Sequence, residues 1–251
     1  MKNRVADFLL IDVSNSFTKI ALASRRKLGA VQRVPTPRLS AALIHRILAN
    51  REAKAIVVSS VVPAKSRKIR RAVGKRKAIW LTPRSRLNVR IDYPQPRTIG
   101  ADRLANAVAV TALYGTPAIV IDFGTAVTFD IVSADAAYIG GVIAPGLEAM
   151  TNFLYQRTAL LPRISLREPP SAIGKTTRDA MVAGAVFGYR GLVQEILRQI
   201  IAERFRKKRV QIVATGGYAD LVARKMPQVK VVHETLTLEG LRIVGCMNST
   251  D

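Results

Sequence analysis

Asp122 closes an apolar, β-branched run, Ile119-Val120-Ile121, and is followed at once by Phe123, Gly124, Thr125 and Ala126 before β-type residues resume at Val127. A carboxylate, a glycine and a hydroxyl at the end of a buried strand suit phosphate chemistry. Small turn residues let backbone N–H groups come close to phosphate oxygens, hydroxyls add donors, and the acid can hold the cation that neutralises their charge. The arrangement occurs twice. Residues 9–22, LLIDVSNSFTKIAL, align with 119–132, IVIDFGTAVTFDIV, at a constant offset of 110. Ile11 matches Ile121, Asp12 matches Asp122 and Thr18 matches Thr128, while Ser14 and Asn15 face Gly124 and Thr125. Each copy reads as a strand, a tight turn and a returning strand. Either hairpin alone is an ordinary turn; the pair implies two related halves whose corners grip a nucleotide's phosphates across a cleft.

The elements around these corners supply further candidates. The segment 98–115, TIGADRLANAVAVTALYG, predicts an Ala-rich helix with Asp102 and Arg103 in its first turn, where an acid is favoured by the helix dipole and can act simply as a cap. In 138–150 a Gly-Gly pair and a Pro-Gly position backbone. The stretch 171–197 predicts a loop entering a long helix, with Gly184, Gly188 and Gly191 on one face for close helix contact, within or between subunits. Residues 210–222 predict a strand, then Thr215-Gly216-Gly217, then a helix whose start can approach a flat ligand. Neither a P-loop nor a strand-borne G-x-G-x-x-G is present, and the GKT string within IGKTT at 173–177 lacks the first glycine at the required spacing.

Composition sets the bounds. A chain of 251 residues, 49% hydrophobic and 23% charged, is globular and long enough for one large domain or two ordinary ones. One cysteine, Cys246, excludes an internal disulfide and points to a reducing compartment; His45 and His233 offer neither a zinc site nor a nucleophile triad. The N-terminal apolar run contains Asp12 and leads to no small-residue cleavage site, and the uncharged stretch 104–121 is broken at Tyr114–Pro117. A cytoplasmic protein with no membrane span is expected. The 40 Lys and Arg against 17 Asp and Glu give a formal +23, and much of the excess sits in runs at 24–27, 65–77 and 204–209. Such runs attract polyanions non-specifically, but no aromatics interleave with them. Solvated helix faces and loops are the simpler reading.

In their order along the chain, these motifs resemble the type III pantothenate kinases of the actin-like and sugar-kinase superfamily. The family's D-x-G-N-T-x-x-K is represented by DVSNSFTK at 12–19, its G-x-D-R by GADR at 100–103 with Tyr93 shortly before, and its D-x-G-T-A by DFGTA at 122–126. GGVIAPG at 140–146 and TGG at 215–217 follow. The resemblance implies an α/β fold of two ribonuclease-H-like halves, each a mixed sheet flanked by helices, with a nucleotide cleft between. The halves are expected at 1–115 and 116–251. It implies ATP-dependent phosphorylation of pantothenate to 4′-phosphopantothenate, the first step towards coenzyme A. Asp102 would be the general base, with Tyr93, Gly100, Ala101, Arg103 and Thr177 binding pantothenate. Asp12, Val13, Ser14, Asn15, Ser16, Phe17, Thr18 and Lys19 would arrange Mg-ATP, with Thr125 on its phosphates. Asp122 would hold potassium or ammonium, and the protein would be a homodimer with substrate sites at the subunit interface.

The sequence departs from the family pattern at three places: Ser14 stands for glycine, Ser16 for threonine and Thr176 for asparagine. Ser16 keeps the hydroxyl. Ser14 adds a Cβ where backbone should pass close to phosphate, at a cost of about 1 kcal/mol or more if φ is positive there. The alternative reading, a catalytically weakened or regulatory nucleotide-binding homologue, rests on that serine and on Thr176.

Overall fold

The computed structural model describes residues 5–206 and 208–249. The absence of a leader was read partly from residues 1–4, and Lys207 belongs to the third basic run; these lie outside the described residues. In chain order the elements are β1 (Ala6–Val13), β2 (Phe17–Ala23), β3 (Leu28–Pro35), α1 (Ala41–Ala49), β4 (Ala53–Ser60), α2 (Pro63–Val73), β5 (Ala78–Trp80), β6 (Arg90–Ile91) and α3 (Ala101–Leu113). There follow β7 (Ala118–Phe123), β8 (Ala126–Val132), β9 (Ala137–Pro145), α4 (Leu147–Arg157), α5 (Thr177–Ile200), β10 (Gln211–Thr215), α6 (Ala219–Ala223), β11 (Val231–Val232) and α7 (Leu236–Asn248). No described helix is long and apolar enough to cross a membrane.

The chain forms two compact units. One comprises the described residues through Gly115, with Asp135–Ile139 and the residues from Thr235 on; the other comprises Thr116–Ala134 and Gly140–Glu234. In the first unit the strand order is β3-β2-β1-β4-β5, with β1 antiparallel to β2 and parallel to β4. A central strand flanked on both sides and covered on both faces needs a continuous apolar run. Phe8, Leu9, Leu10 and Ile11 supply it, all nearly inaccessible to solvent. Leu9 and Ile11 face a cluster with Ile44 of α1, Ile56 and Val58 of β4 and Ile69 of α2. The opposite face receives α7, where a Cβ on Gly245 would lie 3.0 Å from Val57 and 3.1 Å from Phe8.

That helix also packs on α3, so closely that a Cβ on Gly240 would stand 2.0 Å from the Ala105 carbonyl oxygen. The division expected from the sequence, 1–115 and 116–251, follows the chain; by contact α7 goes with the first unit. Leu238, Leu241 and Val244 are buried, and the Thr237 hydroxyl meets Asn106 Oδ1 at 2.9 Å, satisfying a buried polar pair.

In the second unit β7 is the central strand, antiparallel to β8 and parallel to β10, with β11 outside β10. Ala118 to Ile121 are fully buried. Helix α5 runs beneath the loops and carries Arg190, whose guanidinium donates to both carboxylate oxygens of Glu168, at 3.0 and 2.6 Å, and to the Leu221 and Val222 carbonyls of α6. Arg190 thus holds α6, which follows the Thr-Gly-Gly turn, against the rest of the unit. Arg190→Ala is expected to lower unfolding stability by about 3 kcal/mol, because two carbonyls and a carboxylate lose their donor together. The hydrogen bonds from Arg190 hold the Glu168 carboxyl below its usual pKa. The contribution of the pair is therefore full above the ordinary carboxylate pKa and is lost as pH falls through the depressed value. Denaturant titrations of wild type and variant across that range measure both effects.

Candidate functional site

Each unit carries one of the two corners. In the first, β1 ends at Val13, and the Ser14 N–H donates to the Phe17 carbonyl at 3.2 Å to close the turn. The turn is braced from the residue just after β3: the Thr36 hydroxyl donates to the Ser14 carbonyl at 2.7 Å and shares a 3.0 Å contact with the Thr18 hydroxyl, and the Thr36 N–H donates to Ser16 O at 2.9 Å. Asp12 is 2% exposed and stands in register between Lys19 on β2 and Ser59 on β4. Ser14 is not among the described non-glycine residues with positive φ, which are Ala136 and Arg206. The serine therefore adds no backbone strain at this corner.

The second corner shows why. Gly124 also has no positive φ, and a Cβ there would meet Ala126 O at 3.4 Å and Asp122 Oδ1 at 3.7 Å, ordinary contacts. Neither corner needs glycine for its backbone conformation. The hairpins are not superimposable in register, however. Gly124 N–H donates to Ala126 O at 3.0 Å, a turn one residue tighter than that of Ser14, so Asp122 lies opposite Thr128 whereas Asp12 lies opposite Lys19. The match of Thr18 with Thr128 by sequence is off by one position in space.

Asp122 is half-buried at the end of β7, with Thr215 of β10 beside it. Two loops press on it. Gly216, at φ +96°, passes so close that a Cβ would stand 2.6 Å from Asp122 Oδ1 and from the Phe123 N and C atoms. Gly146 lies under Thr125, its N–H donating to Thr125 O at 3.2 Å and its Cβ position 2.3 Å from that oxygen. The Tyr218 N–H donates to Phe123 O, and the Tyr218 hydroxyl reaches Glu148 Oε2 at 3.0 Å. Beneath, Tyr189 donates to Pro145 O at 3.2 Å, and burial pushes its hydroxyl up to about 12, so it stays neutral.

The remaining candidates in the first unit gather where α3 begins. Gly100 is the N-cap and lacks a capping side chain. Asp102 is not the cap; its Oδ1 accepts from the Arg103 N–H at 2.8 Å. A Cβ at position 100 would stand 2.5 Å from Asp102 Oδ1, so glycine leaves the carboxylate its place. The Arg103 guanidinium lies 5.8 Å from the centre of the Tyr138 ring, and Tyr93 meets the same ring edge-on at 6.2 Å. Ala101 opens the helix. Val61 joins this group to the first corner: its N–H donates to Val13 O at 3.0 Å, and its side chain sits 3.5 Å from the Gly100 Cβ position. Asp12 and Asp102 thus belong to the same end of the first sheet. Thr177 belongs to the second unit, exposed at the first turn of α5 next to Thr176, whose side chain caps the helix by accepting from the Asp179 N–H at 3.1 Å.

Three residues with a place here went unread in the sequence: Thr36, Ser59 and Tyr138. Ser59 is the informative one. Its hydroxyl is fully buried beside Asp12 and has no hydrogen-bond partner among the described residues, and Thr215 beside Asp122 is in the same state. Each acid thus has an unsatisfied hydroxyl on its parallel neighbour strand. A buried polar atom left without a partner calls for an ion or water to complete it, and oxygen donors around a carboxylate suit a hard cation. Among the described residues no three His, Cys, Asp or Glu side chains form a metal cage. A divalent ion carried by nucleotide phosphates needs only one or two carboxylates, so the residues present fit it.

Two mixed sheets flanked by helices, each carrying an acid-cornered hairpin, make up the actin-like and sugar-kinase fold. The inorganic polyphosphate/ATP-glucomannokinase from Arthrobacter sp. strain KM has this fold too, with a TM-score of 0.52 at 14% identity over 97% of this chain and all of that one. Residues 8–199 match the family model for type III pantothenate kinase. The type III pantothenate kinase of Akkermansia muciniphila is 48% identical over 242 residues, 96% of this chain and 99% of the relative; that of Methylacidiphilum infernorum is 44% identical over 237 residues, covering 94% and 87%. The chain belongs to the type III pantothenate kinase family. It is a kinase that uses ATP with a divalent metal to phosphorylate pantothenate, in coenzyme A biosynthesis.

Proposed function

We propose that Asp102 is the general base of this reaction. It takes the proton from the primary hydroxyl of pantothenate as that oxygen attacks the γ-phosphorus; the bond from phosphorus to the bridging oxygen breaks, and ADP leaves. Tyr93, Gly100, Ala101 and Arg103 hold pantothenate, with Arg103 on its anionic side and Thr177 as a further contact. Asp12, the turn Val13–Phe17, Thr18 and Lys19 arrange Mg-ATP, and Thr125 touches its phosphates. The magnesium supplies neutralisation of charge on the phosphoryl oxygens. Asp122 and the Thr215 hydroxyl would hold potassium or ammonium. The observation that carries this reading is the join through Val61, which brings the Asp102 carboxylate to the same sheet end as the Asp12 corner. The weakened-homologue reading loses one of its two motives, since Ser14 has no positive φ.

Ser59 offers a direct test. If its hydroxyl is completed by the hydrated cation of Mg-ATP, Ser59→Ala raises the KM for ATP several-fold while the unfolding midpoint stays level or rises. An unsatisfied buried hydroxyl costs about 1 kcal/mol or more, so its removal does not weaken the fold. A loss of stability with unchanged KM would assign Ser59 to packing alone.

We also propose a cytoplasmic homodimer joined through α4 and α5. Phe153 is 59% exposed, with Met150, Leu154 and Tyr155 beside it on α4 and Phe187 on α5. Gly184, Gly188 and Gly191 have open space where a side chain would be. Exposed apolar residues beside a smooth helix face mark an interaction surface. The solution mass is expected to be that of two chains, and Phe153→Asp with Phe187→Asp is expected to give monomers.

A further inference from the structure

Between Val13 and Ile91 the sequence holds twenty Lys and Arg and a single acid, Glu52. The fold brings part of that excess to one edge of the first sheet. Strands β1, β4 and β5 run parallel, and all begin at this edge. Asp7, Lys54 and Lys77 stand at their starts, and the β2–β3 turn adds Arg25, Arg26 and Lys27. Arg25, Lys54 and Lys77 line one recess of 250 Å³, with Asp7 and Ser249. Two basic runs fifty residues apart in sequence therefore meet around one cavity. Asp7 is the only acid in its lining: it takes a 2.9 Å ion pair from Lys54 and accepts from the Arg25 N–H at 3.0 Å. Arg26, Lys27, Lys75 and Arg76 continue the edge, all exposed. Asp12 stands five residues along β1 from Asp7, about 16 Å at strand rise, so this edge is the far side of the sheet from the catalytic corner.

We propose that this edge binds the phosphodiester backbone of a nucleic acid, one phosphate seated in the recess and its neighbours on the flanking cations. The recess is smaller than the roughly 300–1,000 Å³ of a small-molecule site, so it suits one phosphate-sized group of a longer anion rather than a whole cofactor. No large apolar side chain is exposed at residues 24–27, 53–55 or 75–77. A membrane-surface helix inserts apolar residues, but the buried residues of the neighbouring α2, Ile69 and Val73, are committed to the unit's own core. No aromatic stands among residues 24–27, 53–55 and 75–77, which removes base stacking at this edge. Binding is therefore ionic and blind to sequence.

The test compares two quadruple variants of the full chain that lose equal charge. One carries Arg26→Ser, Lys27→Ser, Lys75→Ser and Arg76→Ser; the control carries Arg163→Ser, Arg204→Ser, Lys225→Ser and Lys230→Ser. Anisotropy of a labelled duplex DNA about 20 base pairs long is followed between about 50 and 200 mM salt. The edge variant is expected to bind at least about tenfold more weakly than wild type, with a slope of log affinity against log salt shallower by about 3. The control stays within about twofold, and both keep wild-type pantothenate kinase turnover. Equal weakening in the two variants would reduce the effect to net charge and overturn the proposal. So would an absence of DNA binding, or binding of phosphatidylserine vesicles in its place.

Discussion

Asp102→Asn is expected to lower kcat by about a hundred- to ten-thousand-fold, the usual contribution of a positioned base. The amide matches the carboxylate in size and shape, and its oxygen still accepts the Arg103 N–H that Asp102 Oδ1 accepts at 2.8 Å. Gly100 remains beneath it, so the group keeps its place. What the amide cannot do is take the proton of the attacking hydroxyl. The simpler role for an acid in the first turn of α3 is favourable interaction with the helix dipole, worth about 0.3–1 kcal/mol. The two roles separate cleanly in measurement. A base gives a large fall in kcat with the KM for ATP unchanged and the melting temperature within a few degrees. A dipole partner gives a small loss of stability with turnover intact.

Gly216→Ala is expected to damage the second unit severely, because an unfavourable φ and a backbone overlap coincide there. At φ +96° a side chain is strained by about 1–3 kcal/mol wherever it points. Here it also points at Asp122 Oδ1 and the Phe123 backbone from 2.6 Å. Phe123 ends the central strand of its sheet and cannot move aside without breaking pairs with β8, so the overlap adds about 1–3 kcal/mol. Stability should fall by about 4 kcal/mol in total, and the displaced Asp122 should take potassium activation with it. Gly124→Ala, two residues from the same carboxylate, is the control. Its Cβ position has ordinary contacts and its φ is not positive, so the loss should stay below about 1 kcal/mol. Chemical denaturation and turnover with and without potassium read both variants.

The contrast between these glycines also shows what the sequence could and could not reveal. The acid-cornered hairpins were legible because a β-branched run ending in Asp and small residues is a local pattern, and it occurs twice. The start of α3 was legible for the same reason. Whether Ser14 strains its turn depends on a φ that the sequence does not show; the structure gives the turn no positive φ and a brace from Thr36, eighteen residues beyond Thr18. Ser59 and Thr215 acquire meaning only through strand register, since a Ser or Thr at the end of a strand carries no signal by itself. The docking of α7 depends on Gly240 meeting Ala105, a contact between residues far apart in sequence. Local chemistry was readable; partners set by register and long-range packing were not.

Asp102 as the proton acceptor when pantothenate attacks ATP is the central proposal. A coupled assay of ADP release with ATP, magnesium and pantothenate, run with and without potassium, tests it most directly. The expected result is ADP formation that requires pantothenate, rises with potassium, yields 4′-phosphopantothenate by mass and disappears in Asp102→Asn. Folded protein that binds ATP yet releases no ADP on addition of pantothenate, with or without potassium, would contradict it.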